Sequence, residues 1–230
     1  MQRVKPEVLE GLKEFDSPTV FNAMVKKLGL PNEDYTSHEI RYLLPEFGPV
    51  VGYAVTTEVT TNDPDSSALP WDDYYDYLDE SSAPLVAVMK DADSRPGRGA
   101  SFGDSMATMH KRLGVVGAVV DGTIRDLEGI RKVGLPMFAW GTVPGHGVFN
   151  LTRLNVPVTV GQVRIQPGDL IFADLDGCVR IPPEHAEDVL RMSGEIRARE
   201  SRIFAFFNSP DFSMATWKEW RKQLDKGPSS

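Results

Sequence analysis

Asp104, Arg125 and Asp126 are the residues of this chain whose types and spacing could do chemistry. Twenty residues, Ser105 to Ile124, separate the first from the adjacent pair. The stretch reads GDSMATMHKRLGVVGAVVDGTIRD: a helical-looking run from Asp104, the apolar run Val115 to Val120, then a turn expected at Asp121-Gly122. A helix and a strand of that combined length return the chain to the level where it started, which would bring all three charges to one sheet edge. Two carboxylates and a guanidinium there suit a divalent cation and a small anionic oxo acid, because carboxylate oxygens are hard ligands and the planar guanidinium pairs with a carboxylate. The helix start also offers the amides of Asp104, Ser105 and Met106 as a seat for a substrate carboxylate.

Both acids also have plain structural explanations. Asp104 follows Gly103 at a helix start, where a carboxylate is favoured as a cap and by the helix dipole. Thr123-x-x-Asp126 has the form of a capping box. Arg125 is harder to explain locally, since no cap requires it. Asp91 and Asp93, at another strand end, are weaker metal candidates, and Asp121 reads as turn chemistry with Gly122. His146, in the loop PGHG, can approach the site; His110 reads as a partly buried helix residue, and His38 and His185 as surface residues. Cys178 reads as a packed strand residue. Neither a G-x-G-x-x-G loop nor the lysine of a P-loop is present.

The elements that must position these groups follow from apolar patterning. Leu85 to Lys90, Val115 to Val120 and Leu135 to Trp140 read as buried strands, separated by helices over 104–113 and Thr123 to Lys132. Together they predict a βαβαβ unit with right-handed crossovers. Before it, helices are expected over 6–14 and 18–28, the second capped by Asp16 or Ser17, then a Val- and Thr-rich strand within 48–60. The acidic, aromatic segment 71–79 reads as a helix with a solvated face. After it, short β segments at 156–160, 163–165, 170–173 and 178–181 are divided by hairpin-type turns at Gly161-Gln162, Pro167-Gly168-Asp169 and Asp176-Gly177. A long helix over about 183–207 and a last one capped by Ser213 complete the chain, with frayed residues at the terminal GPSS. The expectation is one α/β domain over 1–230, its core at about 15–205 and a helical arm at about 206–226.

Composition bounds the function. At 230 residues, 41% apolar and 25% charged, the chain can bury a sizeable core. A net charge of −8 and a pI near 5.1 argue against a non-specific nucleic-acid partner. No apolar run approaches the length of a membrane span, and MQRVKPEVLEGLKEF lacks the apolar centre of a signal peptide, which points to the cytoplasm. The lone Cys178 leaves no internal disulfide and no cysteine-based zinc site.

The run GVVGAVVDGTIRD, then GLPMFAWGTVP and VTVGQVRIQPGDLIFADLDGCVRIP, resembles the class II pyruvate aldolases of the 4-hydroxy-4-methyl-2-oxoglutarate type. It equally resembles their sister group, the regulator of ribonuclease activity A. The likeness covers roughly residues 15 to 205, and Asp104, twenty residues and Arg125-Asp126 match the aldolase spacing. The resemblance implies a swivelling β/β/α fold assembled as trimers or paired trimers with sites between subunits. It implies that Asp126 ligates Mg²⁺ or Mn²⁺, that Arg125 binds the pyruvoyl carboxylate and carbonyl, that Gly103 to Met106 hold substrate, and that Asp104 positions water for proton transfer. The implied activity is retro-aldol cleavage of a 4-hydroxy-2-oxo acid to pyruvate, with oxaloacetate decarboxylation by the same apparatus. A non-catalytic, protein-binding regulator is the alternative. Glu195 and Glu200 are candidates for the acid that relatives donate from a neighbouring subunit, and Asn22 stands where many relatives carry aspartate.

Overall fold

Four strands too apolar to leave either face in water set the architecture. They are β2 (Val50–Thr60), β3 (Leu85–Asp91), β4 (Val115–Ile124) and β5 (Met137–Thr142), and they pair in parallel in the order β5-β4-β3-β2. This computed structural model describes residues 3–64, 67–82 and 84–224. Parallel neighbours need crossovers, supplied by the helices α3 (Trp71–Glu80), α4 (Asp104–Arg112) and α5 (Leu127–Val133). The expected βαβαβ unit is therefore present, preceded by one more crossover.

The sheet grows at both ends by antiparallel pairing. The short β1 (Arg41–Tyr42) adds to β5, where Tyr42 stacks on Phe138 with ring centroids 4.1 Å apart. At the other end β9 (Leu170–Asp174) pairs with the start of β2, and β10 (Gly177–Ile181) with β9. β6 (Asn150–Leu154) joins the far half of β2, which completes eight strands, while β7 (Val158–Val160) and β8 (Val163–Ile165) form a separate hairpin. One core cluster gathers Val88, Phe102, Ile130 and Phe138 with side chains of α3, α4 and α5. The other buries Val51, Tyr53 and Phe172 beneath α1 (Pro6–Leu12), α2 (Ser17–Asn22) and α6 (Ala186–Phe207) through Leu12, Val20 and Val189. Burial on both faces is why these strands read as continuous apolar runs rather than alternating ones. The result is the expected mixed α/β fold, a β/β/α arrangement with terminal helices.

Capping follows expectation at two places. The Asp16 carboxylate accepts the Thr19 amide at 2.8 Å, and the Ser213 hydroxyl accepts that of Thr216 at 3.1 Å, ahead of α7 (Met214–Leu224). Helix α3 has the expected solvated acids, with Asp72, Asp73 and Asp76 exposed while Tyr74 and Leu78 are buried.

Several expectations require correction. Asp121-Gly122 is not a turn but the interior of β4, which runs on to Ile124, so the helix expected from Thr123 starts only at Leu127. β-branched Val119, Val120, Thr123 and Ile124 favour extension, and the Asp-Gly step is absorbed as a register shift against β5. Pro167-Gly168-Asp169 closes no hairpin, because β9 leaves β8 to pair with β2. The expected frayed GPSS and the end of the arm at 225–226 lie outside the described residues.

Candidate functional site

The C-terminal ends of β3, β4 and β5 open into three loops at one sheet edge, where open α/β folds present ligand-binding groups. The loop after β3 is pinned by two buried carboxylates. Asp93 accepts the amides of Thr61, Asn62, Asp63 and Arg95, and Asp91 accepts those of Asp93 and Gly97. Burial raises the Asp91 pKa; for Asp93 burial pushes the same way, but the backbone donors outweigh it and hold the carboxyl below its usual range. Both acids are thus engaged by the backbone, which removes them as metal candidates. The Thr123 hydroxyl then bonds the carbonyls of Gly97 and Gly99, and the amides of Ser101 and Arg125 bond Thr123 and Phe102. This zip delivers Gly103 to the side of Arg125 and Asp126.

The capping explanations of the two acids fail. The N-cap of α4 is Gly103, Asp104 is its first helical residue, and no side chain caps the turn. The first backbone bond into the helix runs from Ala107 to Gly103, so the amides of Asp104, Ser105 and Met106 are orphan donors at the helix mouth. Asp126 is the N-cap of α5 through its carbonyl alone, which accepts the Ile130 amide at 2.9 Å; its side chain makes no cap bond. Thr123, the supposed head of a capping box, is a strand residue. Asp126 is also left-handed, with φ 60° and ψ 36°, a region open to aspartate at some cost.

That backbone turn aims the Asp126 carboxylate at Arg125, whose Nε lies 3.2 Å from Oδ2, with the two side chains 38% and 40% exposed. Asp104 approaches from the other helix. Its carboxylate lies over Gly129 on α5, where an added Cβ would stand 2.7 Å from Asp104 Cβ. Gly103 is bare for a similar reason, since a Cβ there would lie 2.9 Å from Asp126 Oδ2. The structure therefore brings together Gly103, Asp104, Ser105, Met106, Arg125 and Asp126 around one cleft of ≈ 120 Å³. An open groove continues past Asp104 and Asp126 along Glu128, Lys132 and Thr142 to Pro144.

His146 reaches the cleft, as its loop position suggested. Phe149 lines it as well and was not legible in the sequence, which carries no spacing signal for it. Its ring stacks on Trp71 at 4.7 Å and 15°, so the aromatic helix α3, read only as a surface element, also braces a wall. His110 is fully rather than partly buried. It bonds the Met106 carbonyl through Nδ1 and the Tyr74 hydroxyl through Nε2, each at 2.7 Å, and burial pushes its pKa down to about 4. Asp121 serves no turn; it accepts Lys90 at 2.5 Å and the Trp140 indole at 2.9 Å. Cys178 is a packed strand residue, its thiol pushed up to about 12 by burial. Glu195 pairs with Arg191 at 3.2 Å on α6, and neither it nor Glu200 lines the cleft of its own chain.

Among the described residues no three His, Cys, Asp or Glu side chains converge on one point. Asp104 and Asp126 alone suit an ion of the magnesium type, which takes one or two carboxylates and keeps several waters or substrate oxygens. The all-oxygen donor set and the space left by Gly103 beside Asp126 fit such an ion. A guanidinium and free helix amides beside it can hold a carboxylate.

Comparison with known proteins places the chain among relatives. Residues 18–180 match the RraA-like family, described as Aldolase/RraA. A Halalkalibacterium halodurans protein named "Putative 4-hydroxy-4-methyl-2-oxoglutarate aldolase" is 39% identical over 97 residues, 42% of this chain and 46% of that one. The chain spans about half the length of the aldolase-named relatives it matches. An uncharacterised protein of Methanocaldococcus jannaschii is 27% identical over 193 residues, covering 84% of this chain and 85% of its own. Among solved structures, Streptomyces coelicolor RraAS2, described as an unusual member of the RNase ES inhibitor RraA family, superposes with a TM-score of 0.69 at 28% identity. That match covers 89% of this chain and 98% of the other.

Proposed function

The chain belongs to the RraA-like family, and we propose that within it the protein is a cytoplasmic, divalent-metal-dependent lyase that cleaves a 4-hydroxy-2-oxo acid to pyruvate. One observation carries the reading: Asp104, Arg125 and Asp126 meet at one cleft, and neither acid is spent on capping a helix. A plain fold-keeping role gives no reason for a left-handed Asp126 whose carboxylate is turned away from the amides it could cap.

Asp126, with Asp104 close by, would hold Mg²⁺ or Mn²⁺. When bound, the ion supplies Lewis acidity to the 2-oxo group of the substrate. Arg125 engages Asp126 through Nε, which leaves its two terminal nitrogens for the substrate carboxylate, a planar fork meeting a planar anion. The amides of Gly103 to Met106 orient the same carboxylate from the helix end. Asp104, set against Gly129, holds a water from which a proton can be moved to or from the reacting carbon. A family assembly of three or six copies would complete the site from a neighbour, with Glu195 and Glu200 as candidate donors.

A second reading, a protein-binding regulator, draws support from the likeness to RraAS2. The two separate in one assay: pyruvate release from 4-hydroxy-2-oxo acids, with EDTA and then with Mg²⁺ or Mn²⁺ restored. The lyase reading expects release that stops in excess chelator and returns with either ion. Turnover indifferent to EDTA removes the metal-dependent mechanism, and no release from any such acid favours the regulator.

A further inference from the structure

The cleft is lined by two chemically unlike sets of residues. One is Asp104, Arg125, Asp126 and the helix amides; the other is Phe102, Met106, His146 and Phe149. The wall is built rather than incidental. Phe149 sits at φ 56°, a region that bulky side chains rarely enter, and its ring is held by the stack on Trp71. Trp71 in turn stands edge-on to Tyr74, 5.8 Å away, whose hydroxyl is tied to the buried His110. A strained aromatic braced through a second ring to the core presents a fixed apolar surface to whatever extends beyond the pyruvoyl half of a substrate.

Charge leads to the same conclusion. Arg125 is the only permanent cation among the described residues of the cleft, and one carboxylate occupies it. A substrate turned instead into the open groove meets Lys132 beside Glu128, while the charges of Asp104 and Asp126 would be met by the bound ion. Arg95 and Arg98 are exposed on the neighbouring loop and line neither space. A second carboxylate would have to be desolvated against aromatic rings without a partner, or compete with Glu128 for Lys132.

We propose that the group on C4, which leaves as the aldehyde or ketone, is an uncharged hydrocarbon or aryl group seated on Phe149. The substrates are then 4-hydroxy-2-oxo monocarboxylates rather than dicarboxylates. This rests on the lyase reading above. Cleavage breaks the C3–C4 bond: the 4-hydroxyl gives up its proton and becomes the carbonyl of the leaving fragment. The bond pair passes to the pyruvate enolate, and C3 takes up one proton. Atoms and electrons balance without an oxidant or reductant.

The test uses the full chain with Mn²⁺ supplied. Pyruvate release is compared between 4-hydroxy-2-oxo-4-phenylbutanoate and 4-hydroxy-2-oxoglutarate, and deuterium exchange into the methyl group of pyruvate is followed separately in D₂O. We expect kcat/KM to favour the phenyl substrate by at least about 10-fold, since a single methylene in a hydrophobic pocket is worth about 10- to 200-fold. Phe149→Arg is expected to reverse that preference and Trp71→Ala to narrow it. Because the readout is a ratio between two substrates, partial loss of folded protein does not move it. Exchange into pyruvate together with a preference for the dicarboxylate, or a ratio untouched by Phe149→Arg, overturns the apolar-wall assignment while leaving the lyase standing. Absence of both exchange and release overturns the lyase reading and this inference with it.

Discussion

Asp126 shows how one residue can read as ordinary in sequence and unusual in space. A Thr-x-x-Asp spacing before a helix suggests a cap, yet the carboxylate caps nothing and the backbone is left-handed. His110 is the reverse case, a histidine beneath the site with no place in its chemistry. Burial holds its pKa at about 4 against an ordinary 6.5, so as pH falls the unfolded chain takes up the proton first. The folded state therefore loses stability progressively from pH 6.5 down to 4, by about 3 kcal/mol in all, and is indifferent to this group above that window. Urea unfolding between pH 7 and pH 4.5 should show this slope, and His110→Gln should flatten it. An equal slope in that variant would assign the pH dependence elsewhere.

At the scale of elements, two helix starts face each other across a gap that only glycine permits. Ala is normally the better helix residue by about 0.5–1 kcal/mol. At Gly129, however, a Cβ lies against Asp104, so Gly129→Ala is expected to displace that carboxylate and slow turnover severalfold while the fold persists. Circular dichroism with pyruvate release checks this, and unimpaired turnover would mean that Asp104 has no positional role. The strands and helices around this pair were legible because their apolar runs are long and bounded by Gly and Pro. What escaped was local. An Asp-Gly step carries the signature of a turn, although β-branched neighbours on both sides extend the strand through it. β1, two residues long, and β6, half polar, carry too little pattern to stand out. Phe149 and Trp71, far apart in sequence, meet only because β6 pairs with β2 and brings the end of one loop over the start of α3.

At the scale of the whole molecule, the order of elements and the meeting of the three charges could be read from the sequence, since both depend on spacing along a regular crossover. The C-terminal arm could be read only in part. Helix α7 folds back on the end of α6, with Trp220 stacked on Phe206 at 4.7 Å and Trp217 against Phe207 at 4.8 Å. Even so, Phe204, Phe212 and Met214 remain 57%, 43% and 61% exposed on this arm, an apolar surface of the kind that marks contact between copies. Light scattering is expected to give three or six times the 25.5 kDa chain mass; a monomer under dilute native conditions would contradict the assembly.

The proposed roles of Asp126 in holding the metal and of Asp104 in acting through water part when Asp126→Asn is set against Asp104→Asn in one experiment, Mn²⁺ titration with turnover measured at saturating metal. Neither side chain caps its helix, and asparagine has the shape of aspartate and tolerates the left-handed backbone at 126, so the exchange removes charge and leaves local structure in place. Asp126→Asn is expected to weaken metal binding directly. Asp104→Asn is expected to leave metal binding nearly intact and to slow turnover by about 10²–10⁴-fold, the usual worth of a positioned proton-transfer group. Two variants that bind Mn²⁺ and turn over like the parent protein would contradict the assignment of both residues.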